Sequence, residues 1–298
     1  LGADGIISME DLSRYQVYER KPLKHEILNR MLFTNPAPSV GGTLIIFLLS
    51  LLKKINANYK FDNLLLVKMM AATAKARHDY FKDPNDEYQL NQMFDKTIVN
   101  KYVNLVETDI LEKYIDFIDN GLGSTTHVSV IDKDGNASSV TTTNGESCGH
   151  VLPGTGVILN NMLGEQDLNP LGFHNWNKQK RMPTLISPSL LLKKNGEIDL
   201  VLGSAGSNRI RSAILQVLTN YIIKDMSLKE SIYSPRLHLE DNQIYLERGI
   251  GIDSPQFINK NFKINKFNEL NLFFGGVNAV SQNEAISDPR RGGCGLEC

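Results

Sequence analysis

The feature that most constrains the fold is an abrupt change of sequence character near residue 124. Gly121-Leu122-Gly123-Ser124 is a run of small residues typical of a loop. From Thr125 to Asp132 the residues then alternate and are rich in β-branched side chains, as in a half-buried strand. Asp132-Lys133-Asp134-Gly135-Asn136 supplies a turn, and Ala137 to Thr143 supplies the returning strand. The pattern therefore predicts a β-hairpin directly after residue 124.

The sequence before this hairpin is mainly helical in pattern. Ser8-Met9-Glu10-Asp11 resembles a capping box, which predicts a short helix. The loop of residues 35–42 is rich in Pro and Gly and leads into a helix predicted from about Thr43 to Lys54. The apolar run Leu44 to Leu52 is about half the length that crosses a bilayer, so it predicts a buried helix. A second helix is predicted from Asn63 to Phe81.

The sequence after the hairpin mixes strands and helices. Ser187 to Lys193 and Ile198 to Leu202 predict a strand pair. Gly203 to Asn208 predicts a tight loop that opens a helix from about Arg209 to Lys224. Helices packed over antiparallel sheets, an α+β class, are the expected architecture. The remaining predicted elements are strands near His238 and Ile244, a helix starting near Ser254 and strands towards Asp288.

Composition and charge exclude several function classes. The net charge is −1 and the basic residues are dispersed, so we expect no nucleic-acid partner and no membrane span. Three widely spaced cysteines indicate neither a disulfide framework nor a zinc site. We therefore predict no metal and no cofactor. The sequence begins with Leu1 and has no visible signal peptide, which suggests a segment of a longer protein and leaves the compartment unknown.

Thr125 is the first candidate for chemistry. A threonine hydroxyl is a poor nucleophile, but cleavage of the preceding peptide bond frees an α-amine with a pKa of roughly 8 that can accept its proton. Small residues before Thr125 and a rigid strand after it suit that geometry. The alternative is that Thr125-Thr126 simply favours a strand. These residues alone leave both interpretations open.

The second candidate is the turn from Gly203 to Arg209. Small residues leading into a helix N-terminus present backbone N–H groups that can hold an anion or a developing oxyanion. No Gly-Lys-Ser/Thr follows, so the turn is not a phosphate-binding P-loop. The alternative is an ordinary strand-to-helix turn.

Several short motifs follow one another along the chain. They are Gly5–Leu12, Pro36–Gly42, Thr125–Asp132 with Asp134–Asn136, Gly154–Met162, Ser187-Pro188, Gly203–Gly206 with Arg209, Ser234–Arg236 and Asp288–Gly293. Ordered motifs are far more specific than any single one. These occur in the order found in the γ-glutamyltransferase family, part of the N-terminal-nucleophile hydrolase superfamily, and the sequence resembles that family over nearly its whole length.

The resemblance implies an αββα sandwich made as a precursor. Residues 1–124 would be the C-terminal part of the small-subunit region, and 125–298 the large-subunit region, together forming one domain. The first half of the family's small subunit is absent from this sequence. That half holds the arginine expected to pair with the substrate carboxylate.

The resemblance also implies a reaction. Thr125 would attack the carbonyl of Ser124 to cut the precursor into small and large chains. It would then attack γ-glutamyl peptides or amides such as glutathione and transfer the glutamyl group to water or to an amino acid or peptide. The backbone of Gly206 and Ser207 would stabilise the oxyanion, and Thr143 would support the nucleophile.

For the substrate, the resemblance assigns Glu165 to the glutamyl α-amine and Thr184 to the α-carboxylate. Asn144 is a further candidate contact, in a segment that differs from the family's usual form. Two departures matter. The family has Gly-Gly where this chain has Gly206-Ser207, which preserves a backbone donor. Leu185 replaces a carboxylate-binding serine, which weakens the expected glutamyl specificity.

Two other functions stay open. A related amidase or acylase, or a poly-γ-glutamate hydrolase, would keep the nucleophile and change the substrate, and Leu185 favours that reading. A non-catalytic fragment or partner subunit that needs a separate N-terminal chain would fit the absent front half.

Overall fold

The predicted β-hairpin is present in the computed structural model of the chain. β3 (Thr126–Ile131) pairs with β4 (Ala137–Thr142) in an antiparallel register that places Thr126 opposite Thr142. Asp132 closes the turn by accepting the backbone N–H groups of Asp134 and Asn136. The structure describes residues 8–55, 61–81, 83, 86–108, 124–169, 171–177, 180–251 and 262–297.

The other elements divide into helices and antiparallel strands. The helices are α1 (Met9–Ser13), α2 (Val40–Lys54), α3 (Asn63–Tyr80), α4 (Glu87–Gln92), α5 (Lys96–Glu107), α6 (Ile210–Ile222) and α7 (Leu228–Tyr233). The remaining strands are β1 (Leu23–Ile27), β2 (Arg30–Thr34), β5 (Ser189–Lys193), β6 (Ile198–Ala205), β7 (Leu237–Glu240), β8 (Gln243–Leu246), β9 (Lys263–Lys266), β10 (Gly276–Val280) and β11 (Ala285–Ile286).

A six-stranded antiparallel sheet forms the centre of the molecule. Its strand order is β1-β2-β5-β6-β10-β11, so strands from before and after residue 124 share one sheet. The β3–β4 hairpin packs over β6 and β10 as a second, two-stranded layer. A separate sheet has the order β7-β8-β9, in which β8 and β9 run parallel.

Side-chain alternation along β6 separates the two faces of the central sheet. Leu200 and Leu202 are fully buried in the main hydrophobic cluster, and β6 packs against α6. Gly203 faces the other way, where a Cβ atom would overlap the imidazole of His127 on β3. The central sheet therefore has helices on one face and the hairpin on the other.

Helix α2 is buried almost all round, as its apolar run predicts. It begins at Val40, three residues before the predicted start at Thr43, so Gly41 and Gly42 lie inside its first turn. A Cβ on Gly41 would overlap the Leu185 carbonyl oxygen. Close packing against the 184–187 segment therefore requires glycine and outweighs its low helix propensity.

Several other predictions can be compared with the structure. The capping box at Ser8 is confirmed, since Ser8 and Asp11 exchange both expected hydrogen bonds. The predicted loop from Gly203 to Asn208 is wrong in its first half, because β6 continues to Ala205 by pairing with β10. The turn begins at Gly206 and α6 begins at Ile210. The helix predicted near Ser254 lies outside the described residues.

A buried ionic network joins two of the C-terminal motifs. Arg236 contacts Asp288 at 2.7 Å, and Arg290 contacts both Asp288 at 3.1 Å and Glu247 at 2.5 Å. Burial opposes ionisation of Asp288, but Arg236 and Arg290 outweigh it and hold the pKa of that carboxyl below its usual value. The Ser-Pro-Arg and Asp-Pro-Arg motifs therefore meet in one structural unit.

The described elements form an α+β structure of three layers: helices, the six-stranded sheet and the hairpin. Within the described ranges, every helix is too short or too polar to cross a bilayer.

Candidate active site

The candidate nucleophile lies at the open end of the hairpin. Because Thr126 pairs with Thr142, the next residues outward, Thr125 and Thr143, face each other. The hydroxyl of Thr125 donates to Oγ1 of Thr143 at 3.1 Å, and Thr143 Oγ1 also accepts the N–H of Gly145 at 3.0 Å. Thr125 is 8% exposed. Thr143 is thus placed to orient the hydroxyl of Thr125.

The residue before Thr125 is held by the same loop. Both the backbone N–H and the hydroxyl of Ser124 donate to the carbonyl oxygen of Gly145, at 3.0 and 2.5 Å. The Ser124–Thr125 peptide bond is therefore fixed on both sides, through Ser124 to Gly145 and through Thr125 to Thr143. This is the bond predicted to be cut.

A loop that carries Glu165 and Asp167, residues 161–169, lines the same cleft as Thr125 and Thr143. We call it the acidic loop. Gly145 has φ of +67°, and a Cβ there would overlap Oε1 of Glu165 and lie 2.6 Å from Oδ1 of Asn161. The absence of a side chain at Gly145 therefore allows the Glu165 carboxylate to enter the cleft. The loop itself is braced by Asn169, whose amide donates to the carbonyl oxygens of Leu163 and Glu165.

Thr184 lies at the N-terminus of α2. Its carbonyl oxygen accepts the N–H groups of Val40 and Gly41 at 2.9 and 3.4 Å. The first turn of a helix offers such unpaired donors. Its neighbour Leu185 is 5% exposed and belongs to the main hydrophobic cluster as well as to the cleft wall. At this position the chain has an apolar surface where the family resemblance predicts a hydroxyl.

The candidate oxyanion turn has a strained backbone. Gly206 has φ of +122° and Ser207 has φ of +49°, which is unusual for a residue with a side chain. A Cβ on Gly206 would lie 2.6 Å from Cα of Gly275, so the two glycines permit close approach of the two chain segments. The turn leads through a short 3₁₀ segment (Ser207–Arg209) into α6, and Arg209 and Ile210 donate their N–H groups to the carbonyl oxygens of Gly206 and Ser207.

The structure brings most of the predicted residues to one cleft. Two acids that the sequence analysis did not assign also line it, Glu146 and the buried Asp167. In the sequence, the one sign that Asp167 belongs to the site is its position two residues after Glu165. The cleft is lined by Thr125, Thr143, Gly145, Glu146, Met162, Glu165, Asp167, Leu168, Thr184, Leu185, Ile186, Ser207 and Ile210.

Asn144 is predicted to contact substrate, but it is not among the described residues that line the cleft. Its side chain is exposed, and the lining of the cleft includes its neighbours Thr143 and Gly145. Its carbonyl oxygen accepts the N–H groups of Ser147 and Asn161. The described position is that of a residue that shapes the loop through its backbone, and its predicted contact with substrate stays a prediction.

His127 lies on β3 and packs against the central sheet. Its ring nitrogens lie 2.8 Å from Oγ1 of Thr141 and 2.8 Å from Oγ of Ser129. Burial lowers the pKa of His127 to about 4, so the ring is neutral near pH 7. A neutral ring wedged against Gly203 fixes the hairpin on the central sheet.

The arrangement combines the parts that acyl transfer by an N-terminal nucleophile requires. A hydroxyl is oriented by a second threonine, a backbone turn precedes a helix, and carboxylates can receive a cation. In the part of the chain that the structure describes, no cluster of three or more His, Cys, Asp or Glu could hold a metal ion.

Comparison with known proteins identifies the family and the fold. The Capsule biosynthesis protein CapD proenzyme of Bacillus anthracis is 29% identical over 294 residues, which cover 96% of this chain and 54% of that protein. The Glutathione hydrolase proenzyme of Escherichia coli (strain K12) is 28% identical over 276 residues, which cover 84% of this chain and 47% of that protein. The chain therefore spans about half the length of these curated relatives.

The solved structure of cephalosporin acylase from Bacillus halodurans matches with a TM-score of 0.73 at 18% identity. The match covers 96% of this chain and 54% of that one. This likeness concerns the fold alone, and it confirms the predicted α+β fold class. The family model described as Gamma-glutamyltranspeptidase matches residues 2–297. Because that match spans nearly the whole chain, the chain belongs to the gamma-glutamyltranspeptidase family.

Proposed function

We propose that this chain is the catalytic part of an autoprocessing γ-glutamyl transferase or hydrolase, with Thr125 as nucleophile. The observation that supports this most directly is the 3.1 Å hydrogen bond from Thr125 to Thr143 inside a cleft that also contains Glu165 and Ser207. Both family membership and the names of the relatives agree with this function.

Self-cleavage would proceed through an ester. Oγ1 of Thr125 attacks the carbonyl carbon of Ser124, the C–N bond breaks, and the hydroxyl proton goes to the nitrogen that becomes the α-amine. Water then hydrolyses the ester and releases Ser124 as a new C-terminus. The hydrogen bonds from Ser124 to Gly145 favour this step because they hold the reacting carbonyl group in place.

Turnover would use the same hydroxyl with a new base. The freed α-amine of Thr125 takes the hydroxyl proton as Oγ1 attacks the γ-carbonyl carbon of the substrate. Backbone N–H groups of Gly206 and Ser207 stabilise the tetrahedral oxyanion, a contribution worth roughly 10²–10³ in rate per donor in other enzymes. The proton then passes to the departing amine, and water or an acceptor amine resolves the acyl-enzyme.

The acids of the cleft suit the α-ammonium of a glutamyl group. Glu165 is placed beside Gly145, and Asp167 lies in the same loop. Thr184 lines the cleft beside the N-terminus of α2, and its hydroxyl is the group that would bind the substrate α-carboxylate. Leu185 removes one polar contact from that side, which supports the alternative of a related acylase, amidase or poly-γ-glutamate hydrolase.

We further propose that the half of the family's length outside this chain covers the hairpin side of the central sheet. The outer face of the hairpin exposes three valines, with Val128, Val130 and Val140 about half exposed. Beside the hairpin, a cavity of about 710 Å³ opens over β2 and β5, lined in part by Phe33 and Leu190. A chain that acts only as a partner subunit would use the same surface.

Mass measurement on purified protein tests the nucleophile. A cut before Thr125 is expected in the wild type, and Thr125→Ala is expected to abolish both cleavage and turnover. Thr126→Ala is the matched control, since Thr126 is the exposed neighbour on the same strand. Self-cleavage by Thr125→Ala at the same bond would refute the proposed role, and an intact, inert wild type would favour the non-catalytic alternative.

The substrate class is tested with two chromogenic amides. Release of p-nitroaniline from the γ-glutamyl anilide, with little from the glutaryl anilide that lacks the α-amine, would support γ-glutamyl specificity. Equal rates on both substrates would favour the broader acylase or amidase.

A further inference from the structure

Arg77 on α3 joins two segments that are far apart in sequence. Its side chain is buried, with 2% of the residue exposed. One guanidinium nitrogen, Nη2, donates to the carbonyl oxygen of Asp167 at 2.9 Å. The other, Nη1, donates to Oδ1 of Asn208 at 3.4 Å. One planar group therefore contacts residues 90 and 131 positions later in the chain.

These two contacts reach the two halves of the proposed active site. Asp167 lies in the acidic loop and lines the cleft. Asn208 directly follows Ser207, whose backbone is a proposed oxyanion donor. Asn208 is fully buried, and its amide donates to Oε1 of Glu240 at 2.8 Å, which fixes the side chain from its other end.

We propose that Arg77 is a positioning residue that sets the distance between the acidic loop and the oxyanion turn. This inference rests on the proposed function and goes further by assigning a role in the reaction to a residue on the helical layer. Arg77 does not line the cleft. It acts through the carbonyl group of Asp167 and the side chain of Asn208.

The chemistry of arginine explains why this residue type suits the position. A guanidinium presents donors in a rigid plane, so it can serve two acceptors that point from different segments. Lysine has a single ammonium on a flexible stem and would lose this fixed spacing. Hydrogen bonds to a charged group are also stronger than those between neutral groups.

The two contacts predict two separable kinetic effects. Loss of the contact to the acidic loop should weaken binding of the substrate α-ammonium and raise KM. Loss of the contact to Asn208 should loosen the oxyanion turn and lower kcat. A residue that only stabilised the fold would reduce the amount of active enzyme, which lowers the apparent kcat for every substrate and leaves KM unchanged.

The test compares Arg77→Gln with wild type on the γ-glutamyl and glutaryl p-nitroanilides, with rates expressed per folded, self-cleaved molecule. KM for the γ-glutamyl anilide is expected to rise roughly tenfold, while KM for the glutaryl anilide, which has no ammonium, stays unchanged. We expect kcat to fall by about the same factor for both substrates. Asn208→Leu should lower kcat without the change in KM.

Two further variants keep the test decisive. Arg77→Lys retains the charge and is expected to fold if Arg77→Gln does not, with the same divergence between the two substrates. Arg30→Gln is the matched control, because Arg30 is bonded to Asp199 at 2.5 Å outside the cleft. It should lower the melting temperature and leave both KM values unchanged.

The outcomes separate this inference from the proposed function. A wild type that neither cleaves itself nor releases p-nitroaniline would overturn the proposed function. An active wild type whose Arg77 variants show unchanged KM for both substrates would overturn the positioning role alone.

Discussion

Substitution of Gly145 by alanine tests how the cleft admits the acid that is proposed to bind substrate. At Gly145 φ is +67°, and the new methyl group would overlap Oε1 of Glu165 and approach Oδ1 of Asn161. Both contacts are with the ends of flexible side chains. The expected response is therefore that the Glu165 carboxylate moves out of the cleft, while the backbone of the loop after β4 stays in place.

Two separate magnitudes follow from this geometry. The left-handed backbone costs an alanine about 1–2 kcal/mol in stability. Displacing a carboxylate that would bind the substrate ammonium costs roughly 1.5–3 kcal/mol of binding. Since 1.4 kcal/mol corresponds to a factor of ten, KM for a γ-glutamyl anilide should rise roughly 10- to 100-fold. We expect a much smaller change in kcat, because Gly145 still donates to Thr143.

Gly135→Ala provides the matched control. Gly135 lies in the hairpin turn with φ of +81°, and no atom lies within 4 Å of its Cβ position. Gly135→Ala should therefore lose a similar amount of stability from its left-handed backbone, without any contact with Glu165. Chemical denaturation of both variants should give similar losses of unfolding free energy, whereas only Gly145→Ala should change KM.

The assay is steady-state hydrolysis of γ-glutamyl p-nitroanilide, with the glutaryl anilide measured in parallel. If Gly145→Ala and Gly135→Ala gave the same KM, the position of Glu165 would be irrelevant to binding. A rise in KM for both anilides would show a steric block of the cleft instead of loss of the ammonium contact.

Three other predictions concern stability. Asp288→Asn should lower the unfolding free energy by roughly 3–5 kcal/mol, measured by urea denaturation, since it leaves Arg236 and Arg290 buried with one carboxylate fewer. Burial lowers the pKa of His127 from 6.5 to about 4, so between these pH values the unfolded chain binds more protons than the folded chain. The free energy of unfolding should therefore fall as the pH falls from 6.5 to about 4. His127→Asn should reduce this pH dependence, which urea denaturation at several pH values would detect. Gly203→Ala should cost about 1–3 kcal/mol by overlap with the His127 ring, and the double variant with His127→Ala should recover part of that loss in melting temperature.

Local patterns were sufficient to predict many of the elements. The alternation after Ser124 and the turn at Asp132 predict the β3–β4 hairpin, and both strands lie within a residue or two of their predicted limits. The apolar run from Leu44 predicts a buried helix, and α2 is buried along most of its length. The Thr125–Thr143 pair also follows from the hairpin register, once the turn is placed.

The errors occur where distant residues determine the local structure. Gly203 looks like a loop residue, but it lies in β6 because the strand pairs with β10 and the His127 ring occupies the space of a side chain. Asp167 and Arg77 could not be assigned from sequence for the same reason. The roles proposed for them depend on contacts between α3, the acidic loop and the turn before α6, and no local pattern encodes such contacts.

The distribution of the site along the chain has a consequence for processing. Thr125 has its hydroxyl oriented by Thr143, while the acids come from residues 146–167 and the oxyanion turn from 206–207. These segments meet only when the hairpin packs on the central sheet, through His127 against Gly203. The proposed cleavage before Thr125 would therefore require a folded precursor. Variants that weaken this packing should slow self-cleavage, while molecules that have already been cut and remain folded should keep their KM.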